Sequence, residues 1–213
     1  MDIAKTKKDL QKNHSMSMSL FTPYVNAIEN LTVKLISSDG NDISNSEIQL
    51  VLDGQPMQVL RDVVPITDLK RTGAFFTNHH LSNRLIKSII PDIKQGQAIS
   101  DPACGTGNLF LACARHLPIL ENIRETLNLW GKQLYGSDLH PEFIRAAKTR
   151  LILLAIERGA RGSLSDINFS DFFPNIQTSN YLSFSSELLK EGCIVINPPY
   201  TMVEVRFSDF FVI

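Results

Sequence analysis

No stretch of the 213-residue chain approaches the ~20 consecutive apolar residues that a membrane-spanning helix needs, so a transmembrane protein is not expected. Charge of one sign is missing as well: 21 Lys and Arg against 22 Asp and Glu leave a net charge of −1. Proteins that grip nucleic acid over a long footprint carry a basic surface, because neutralising phosphates drives their binding. Charge therefore gives no support to a long nucleic-acid footprint within this chain. Cysteine is scarce and odd in number, with Cys104, Cys113 and Cys193 all in apolar segments. That argues against a disulfide framework and for reduced thiols in the cytoplasm. The lysines of the opening MDIAKTKKDLQKNH have no apolar run behind them, so a secretory leader is not expected. Internal repeats and low-complexity tracts are absent. What is present is an ordinary folding composition, 43% hydrophobic and 20% charged, in a chain long enough for one large domain or a domain plus an extension.

Two parts differ in pattern. Residues 1–66 read as an N-terminal extension without catalytic pattern. Lys5, Lys7, Lys8 and Lys12 read as a solvated terminus, and two β-like runs, Leu31–Ile36 and Glu47–Leu52, flank the turn-rich SSDGNDISNS. Residues 67–213 alternate strands with helices. TNHHLSNRLIKSII has helical spacing through Leu81, Leu85, Ile86 and Ile89, with Thr77 or Asn78 as N-cap. QAISD reads as a first strand, Asn108–Leu117 as a helix and QLYGSD as a second strand. A further helix has Pro141 in its first turn and Gly159 just past its end. DINFSD and CIVIN read as third and fourth strands. Strands separated by helices imply βαβ units, a parallel sheet and an α/β fold.

The loop DPACGTGNLF, Asp101 to Phe110, joins the first strand to its helix. Gly105 and Gly107 permit a tight turn and a close approach of backbone to ligand. The helix start behind them favours an anion. The dinucleotide fingerprint G-x-G-x-x-G requires a third glycine where this chain has Phe110. A pyrophosphate is thus disfavoured, and a smaller anion such as a carboxylate fits better. Asp101, at the strand tip, suits a cationic or hydroxyl-bearing ligand. Asp138 ends the second strand, one βα unit further on, and a carboxylate there suits the two hydroxyls of a ribose. The bland alternatives are a structural turn and an Asp that caps the next helix.

IVINPPY, Ile194 to Tyr200, closes the fourth strand. Pro198 and Pro199 end the ladder and stiffen the corner, leaving the Asn197 carboxamide and the Pro198 carbonyl as acceptors beside the ring of Tyr200. Such a pair suits an aryl amine such as adenine N6, whose lone pair is delocalised into the ring. Acceptors holding both hydrogens draw the lone pair out of conjugation and aim it at a methyl sulfonium. An aromatic ring then holds the base out of the helix. No metal is required. A structural loop with a satisfied asparagine is the alternative.

DPACGTGN followed by NPPY resembles the catalytic domain of the N6-adenine-specific DNA methyltransferases of restriction–modification and phage-defence systems, and the likeness runs from about Lys70 to Tyr200. The resemblance implies a Rossmann-like, doubly wound sheet of the S-adenosylmethionine-dependent methyltransferase type, with S-adenosyl-L-methionine as cofactor and DNA as partner. It implies that Thr77 helps hold the methionine carboxylate, although Asn78 stands where the family has proline. It implies that Asp101, Ala103, Gly105 and Gly107 form the cofactor loop, that Asp138 takes the ribose and that Leu139 lies beside the adenine ring. By the same likeness Asp171 accepts from the cofactor's adenine amino group and Phe172 flanks that ring. Asn197, Pro198, Pro199 and Tyr200 supply the catalytic acceptors, the stiff corner and the base-stacking ring. His79, His80, His116 and His140 match no catalytic position and read as surface or packing residues.

The family's sheet has more strands than the four expected here, so the domain reads as truncated after the fourth with an open edge, either as a cut-down or interrupted product or as one that a second polypeptide completes. On that reading the chain alone binds cofactor without methylating DNA. Two other functions share the motifs. NPPY also suits methylation of a glutamine side-chain amide in a protein, and a cofactor-binding remnant without turnover fits the missing strands.

Overall fold

Apolar residues three and four apart organise the first part of the chain into helices. A 3₁₀ turn, Ser19–Phe21, leads into α1, Thr22–Ser37, which buries Val25, Ile28, Thr32 and Leu35. Helix α2, Asn45–Leu52, buries Ile48, Val51 and Leu52. Both β-like runs expected at Leu31–Ile36 and Glu47–Leu52 are therefore helical. Thr32 and Leu35 continue a stripe begun at Val25 and Ile28, Ile48, Val51 and Leu52 make a second stripe at helical spacing, and packing along these stripes overrides local β preference. The computed structural model describes residues 18–37, 45–74, 76–162, 171–180 and 192–198. Helices α3, Gln55–Val63, and α4, Ile66–Thr72, follow. Next come α5, His79–Ile86, and α6, Ile90–Lys94. The Asn78 side chain caps α5 by accepting from the Leu81 N–H at 2.9 Å. Ile86 is buried, whereas Leu81 and Leu85 lie on the exposed face of that helix.

Beyond α6 the strands appear. In order they are β1, Ala98–Asp101; α7, Asn108–Ala114; α8, Ile123–Gln133; β2, Leu134–Asp138; α9, Pro141–Glu157; β3, Ile176–Thr178; and β4, Gly192–Ile194. The four strands form one parallel sheet in the order β3-β2-β1-β4. The third strand is Ile176–Thr178, whereas it was expected at Asp166–Asp171. Of that stretch only Asp171 is described, and it is not in a strand. Between Asp171 and β3 the chain turns through Phe173, which is buried with φ +58°, and Pro174. Helix α8 is capped by Asn122, whose side chain accepts from the N–H groups of Arg124 and Glu125 at 2.8 and 3.3 Å. It buries Ile123, Leu127 and Trp130, and the Trp130 indole N–H donates to the Pro118 carbonyl at 2.8 Å.

Helix α9 is the spine. Its residues from Phe143 to Ala155 are buried except Arg145, as expected of a helix covered on every side. It touches α1 and α2 on one flank and α7, α8, β2 and β3 on the other. One hydrophobic cluster consequently includes Phe21 and Val25 from α1 and its lead-in, Leu151 and Leu154 from α9, Ile99 from β1 and Val195 just past β4. The residues before 67 share this core.

Candidate functional site

The chain runs from β1 outward through β2 to β3 and then crosses back to lay β4 on the other side of β1, so the strand order reverses between β1 and β4 and leaves a crevice at their carboxyl ends. Register places Asp101 opposite Gly136, two residues before Asp138, so both acidic strand tips face the same edge. Asn197 follows β4 at that edge. A cleft open to solvent has Asp101, Asp138 and Asn197 in its lining.

The loop after β1 is held by backbone hydrogen bonds. The Ala103 N–H donates to Asp101 Oδ1 at 3.1 Å. Asp138 accepts from the Gly105 N–H at 3.0 Å and from the His140 N–H at 2.9 Å, one on each carboxylate oxygen. The Cys104 N–H donates to the Ser137 carbonyl at 2.9 Å, and the Ser137 hydroxyl returns to the Pro102 carbonyl at the same distance. Asp138 is thus a strap for the loop as well as a neighbour of α9, and its carboxylate retains lone pairs for a ligand. Gly107, at φ +82°, begins α7 against α9, where an added Cβ would sit 3.0 Å from Ala147 Cβ. Phe110, which stands where a dinucleotide site has its third glycine, is fully buried. Room for its ring comes from the facing strand: a Cβ on Gly136 would lie 2.6 Å from Phe110 Cζ. The close packing of helix on strand is therefore kept, with the small residue moved to the partner.

Burial pushes the Asp101 carboxyl up to about 8, aided by the nearby Asp138 and opposed by the Ala103 N–H. Burial also raises Asp138, against the N–H groups of His140 and Gly105. Two carboxylates held in this way favour a ligand that brings positive charge or hydroxyl donors.

Of the residues expected to hold a cofactor, Thr77, Asp101, Ala103, Gly105, Asp138 and Leu139 line the cleft, and Asn197 joins them from the catalytic motif. Gly107 lies behind the loop. Asp171 is exposed and Phe172 is buried with Arg124 5.6 Å from its ring centroid, and neither is in the lining. Pro198 is exposed beside Asn197, and Pro199 and Tyr200 lie outside the described residues. Sequence reasoning did not pick out Phe76, Asn108, Phe143 or Ser179, all in the lining. His140, expected as a surface or packing residue, both lines the cleft and stacks edge-on to Phe143 at 5.0 Å. The signal for the aromatic wall was the GAFF segment ahead of Thr77. Phe76 meets Phe143 edge-on at 5.0 Å, and an added Gly105 Cβ would lie 3.1 Å from the Phe76 ring.

The fold resembles that of a solved chain described as "cryoEM structure DrdV-DNA complex", with a TM-score of 0.54 at 16% identity, over 81% of this chain and 18% of that one. In sequence, 131 residues are 30% identical to the "Type I restriction enzyme MjaIX methylase subunit" of Methanocaldococcus jannaschii, over 62% of this chain and 19% of that protein. The chain thus spans about a fifth of the length of each. The description "N-6 DNA Methylase" matches residues 59–206, a span that holds both acidic strand tips and Asn197. The chain belongs to the N-6 DNA methylase family.

Proposed function

We propose that this chain holds S-adenosyl-L-methionine in the cleft and carries the catalytic motif for methylating the N6 amino group of adenine in DNA, within a restriction–modification or defence system. On this reading the sheet is of the Rossmann-like methyltransferase type. The observation that carries the proposal is that Asp101, Asp138 and Asn197 line one cleft at the carboxyl ends of parallel strands. The donor set fits the cofactor: buried carboxyls suit its cationic and hydroxyl groups, and the aromatic and aliphatic wall of Phe76, Phe143 and Leu139 suits its apolar body. Asp138 would accept from the ribose hydroxyls while Gly105 and His140 hold its carboxylate in place. Thr77 would meet the methionine carboxylate. For Asp171 and Phe172, which stand outside the lining, the family resemblance alone supports an adenine contact.

When bound, the cofactor supplies an electrophilic methyl on a sulfonium. The Asn197 side-chain oxygen and the Pro198 carbonyl would accept from the two N6 hydrogens of adenine. They orient its lone pair and stabilise the positive charge that develops on nitrogen. Tyr200 would stack on the extruded base. The N-6 DNA methylase match favours DNA over a protein glutamine amide as the acceptor. Titrating S-adenosylmethionine into the purified chain by calorimetry tests the cofactor reading. Transfer of a labelled methyl to adenine-containing duplex DNA, against protein substrates, tests the acceptor in an assembly that also supplies whatever DNA-reading parts its longer relatives contain. Absence of cofactor binding by a folded chain would overturn the proposal.

A further inference from the structure

The spine helix α9 carries a charged side chain that the proposed chemistry does not use. Arg150 is fully buried, and all five of its N–H donors have acceptors. Nε donates to the Val51 carbonyl at 2.8 Å, and Nη2 donates to the carbonyls of Leu52 and Asp53 at 3.1 and 3.3 Å. These carbonyls lie at the C-terminal end of α2, where helix groups lack intrahelical partners and a cation is favoured. On its other side, Nη1 donates to the Thr106 carbonyl at 2.6 Å, to Thr106 Oγ1 at 3.2 Å and to Asn108 Oδ1. Thr106 lies in the loop between β1 and α7, and Asn108 is the first residue of α7. The Asn108 carboxamide continues the chain of bonds by donating to the Thr77 carbonyl, on the opposite lip of the cleft. Arg150 is thus the node between an N-terminal helix, the glycine loop and the Thr77 segment. The N-terminal part meets the cleft wall at a second place, because Phe21, in the turn ahead of α1, packs edge-on against Phe143 at 5.7 Å.

We infer that Arg150 is a positioning residue for the cleft, and that helix α2 is a working part of the ligand site, bracing the loop at 103–108 and the Thr77 segment through that guanidinium. The inference rests on the cofactor reading above for its affinity readout, and has a second readout that does not. A lysine offers three donors from one point and cannot span both α2 and the loop, so Arg150→Lys releases one side while keeping the charge. Burial lowers Arg150 to about 10, which leaves it charged at neutral pH in the parent.

Site-resolved hydrogen exchange on ligand-free parent and Arg150→Lys provides the direct test. Exchange should rise at the Gly105 and Gly107 amides, which donate to Asp138 and to the Cys104 carbonyl, while the β1–β2 ladder stays protected. In parallel, the S-adenosylmethionine Kd of the folded variant should weaken about 3- to 30-fold, as found for residues that couple to a site without touching its ligand. Asn108→Ala, which leaves Arg150 bonded to α2, is a second variant should lysine prevent folding, and it should raise exchange at the same loop amides. If loop exchange is unchanged, or rises equally through loop and ladder, the inference is overturned and Arg150 serves stability alone. If the parent itself does not bind S-adenosylmethionine while loop exchange responds as expected, the cofactor reading has failed and the bracing stands.

Discussion

At the β1 and β2 end of the cleft each carboxylate oxygen of Asp138 is tied to a backbone N–H, and the loop between Asp101 and Gly107 is laced to the next strand. Asn197, at the other end, follows a three-residue strand that pairs with β1 alone among the described residues. Ile194 and Ile196 beside it are 49% and 41% exposed, whereas Ile99 on β1 is fully buried. One end is framed by its neighbours on both sides, and the other is framed on one. Binding of a small ligand and chemistry on a second substrate should therefore respond to different mutations.

The sharpest separation is expected from Asn197→Ala. In an assembly active on DNA, methyl transfer should fall by about 10²–10³-fold, the size of loss seen when one preorganised charge-stabilising group is removed. Cofactor affinity should stay nearly unchanged, since the interaction belongs to the transition state. Comparable losses in both would erase the contrast between the two ends. Asp138→Ala should act the other way. Loss of charge-assisted hydrogen bonds worth ~1.5–3 kcal/mol weakens cofactor binding roughly 10- to 150-fold by calorimetry. An unchanged Kd would remove Asp138 from the ligand site and leave it a loop strap.

Gly136→Ala probes the frame itself. The new Cβ meets the Phe110 ring at 2.6 Å, so denaturant unfolding should show a loss of about 1–3 kcal/mol, the usual cost of overpacking. A Phe110→Leu partner substitution should recover part of it, and no recovery would mean that the strain lies elsewhere.

A last effect is one of pH. Burial raises Asp101 from 3.8 to about 8 in the folded chain, so its neutral form is the one the fold favours. Its contribution to stability is then complete below the ordinary carboxyl range and is lost as pH rises through about 8. Asp101→Asn keeps an oxygen for the Ala103 N–H and carries no charge. Ligand-free Asp101→Asn should gain stability relative to the parent at pH 8 and lose the parent's decline between pH 5 and 8. Parallel stability–pH curves for the two chains would show that Asp101 does not titrate in that range.

The parts of this fold that could be read from sequence are those whose signals are local. The strand-tip acids, the glycine loop, the cap at Thr77 or Asn78 and the Pro141-to-Gly159 helix each announce themselves within a few residues; in the structure Asp101 and Asp138 end β1 and β2, Asn78 is the cap and the helix spans Pro141–Glu157. The N-terminal helices were misread because six-residue windows of Val, Ile and Leu look alike in strand and helix, and tertiary packing on α9 decides between them. DINFSD reads as the third strand, and the structure has that strand at Ile176–Thr178, past Phe173 and Pro174. Arg150 was invisible because its six acceptors are mostly backbone carbonyls, which no sequence pattern displays. The exchange of a glycine for Phe110, balanced at Gly136, was half legible: the missing glycine was evident and its compensation on another strand was not.

The chain has one tryptophan, and Trp130 is fully buried, bonded to the Pro118 carbonyl and covered by Arg158 at 5.7 Å from its ring centroid. It does not line the cleft. The molecule therefore carries a built-in optical reporter of α8 packing alone. Its emission should redden as the scaffold melts and stay dark to ligand arrival, so a single fluorescence trace distinguishes a variant that has lost its architecture from one that has only lost its grip.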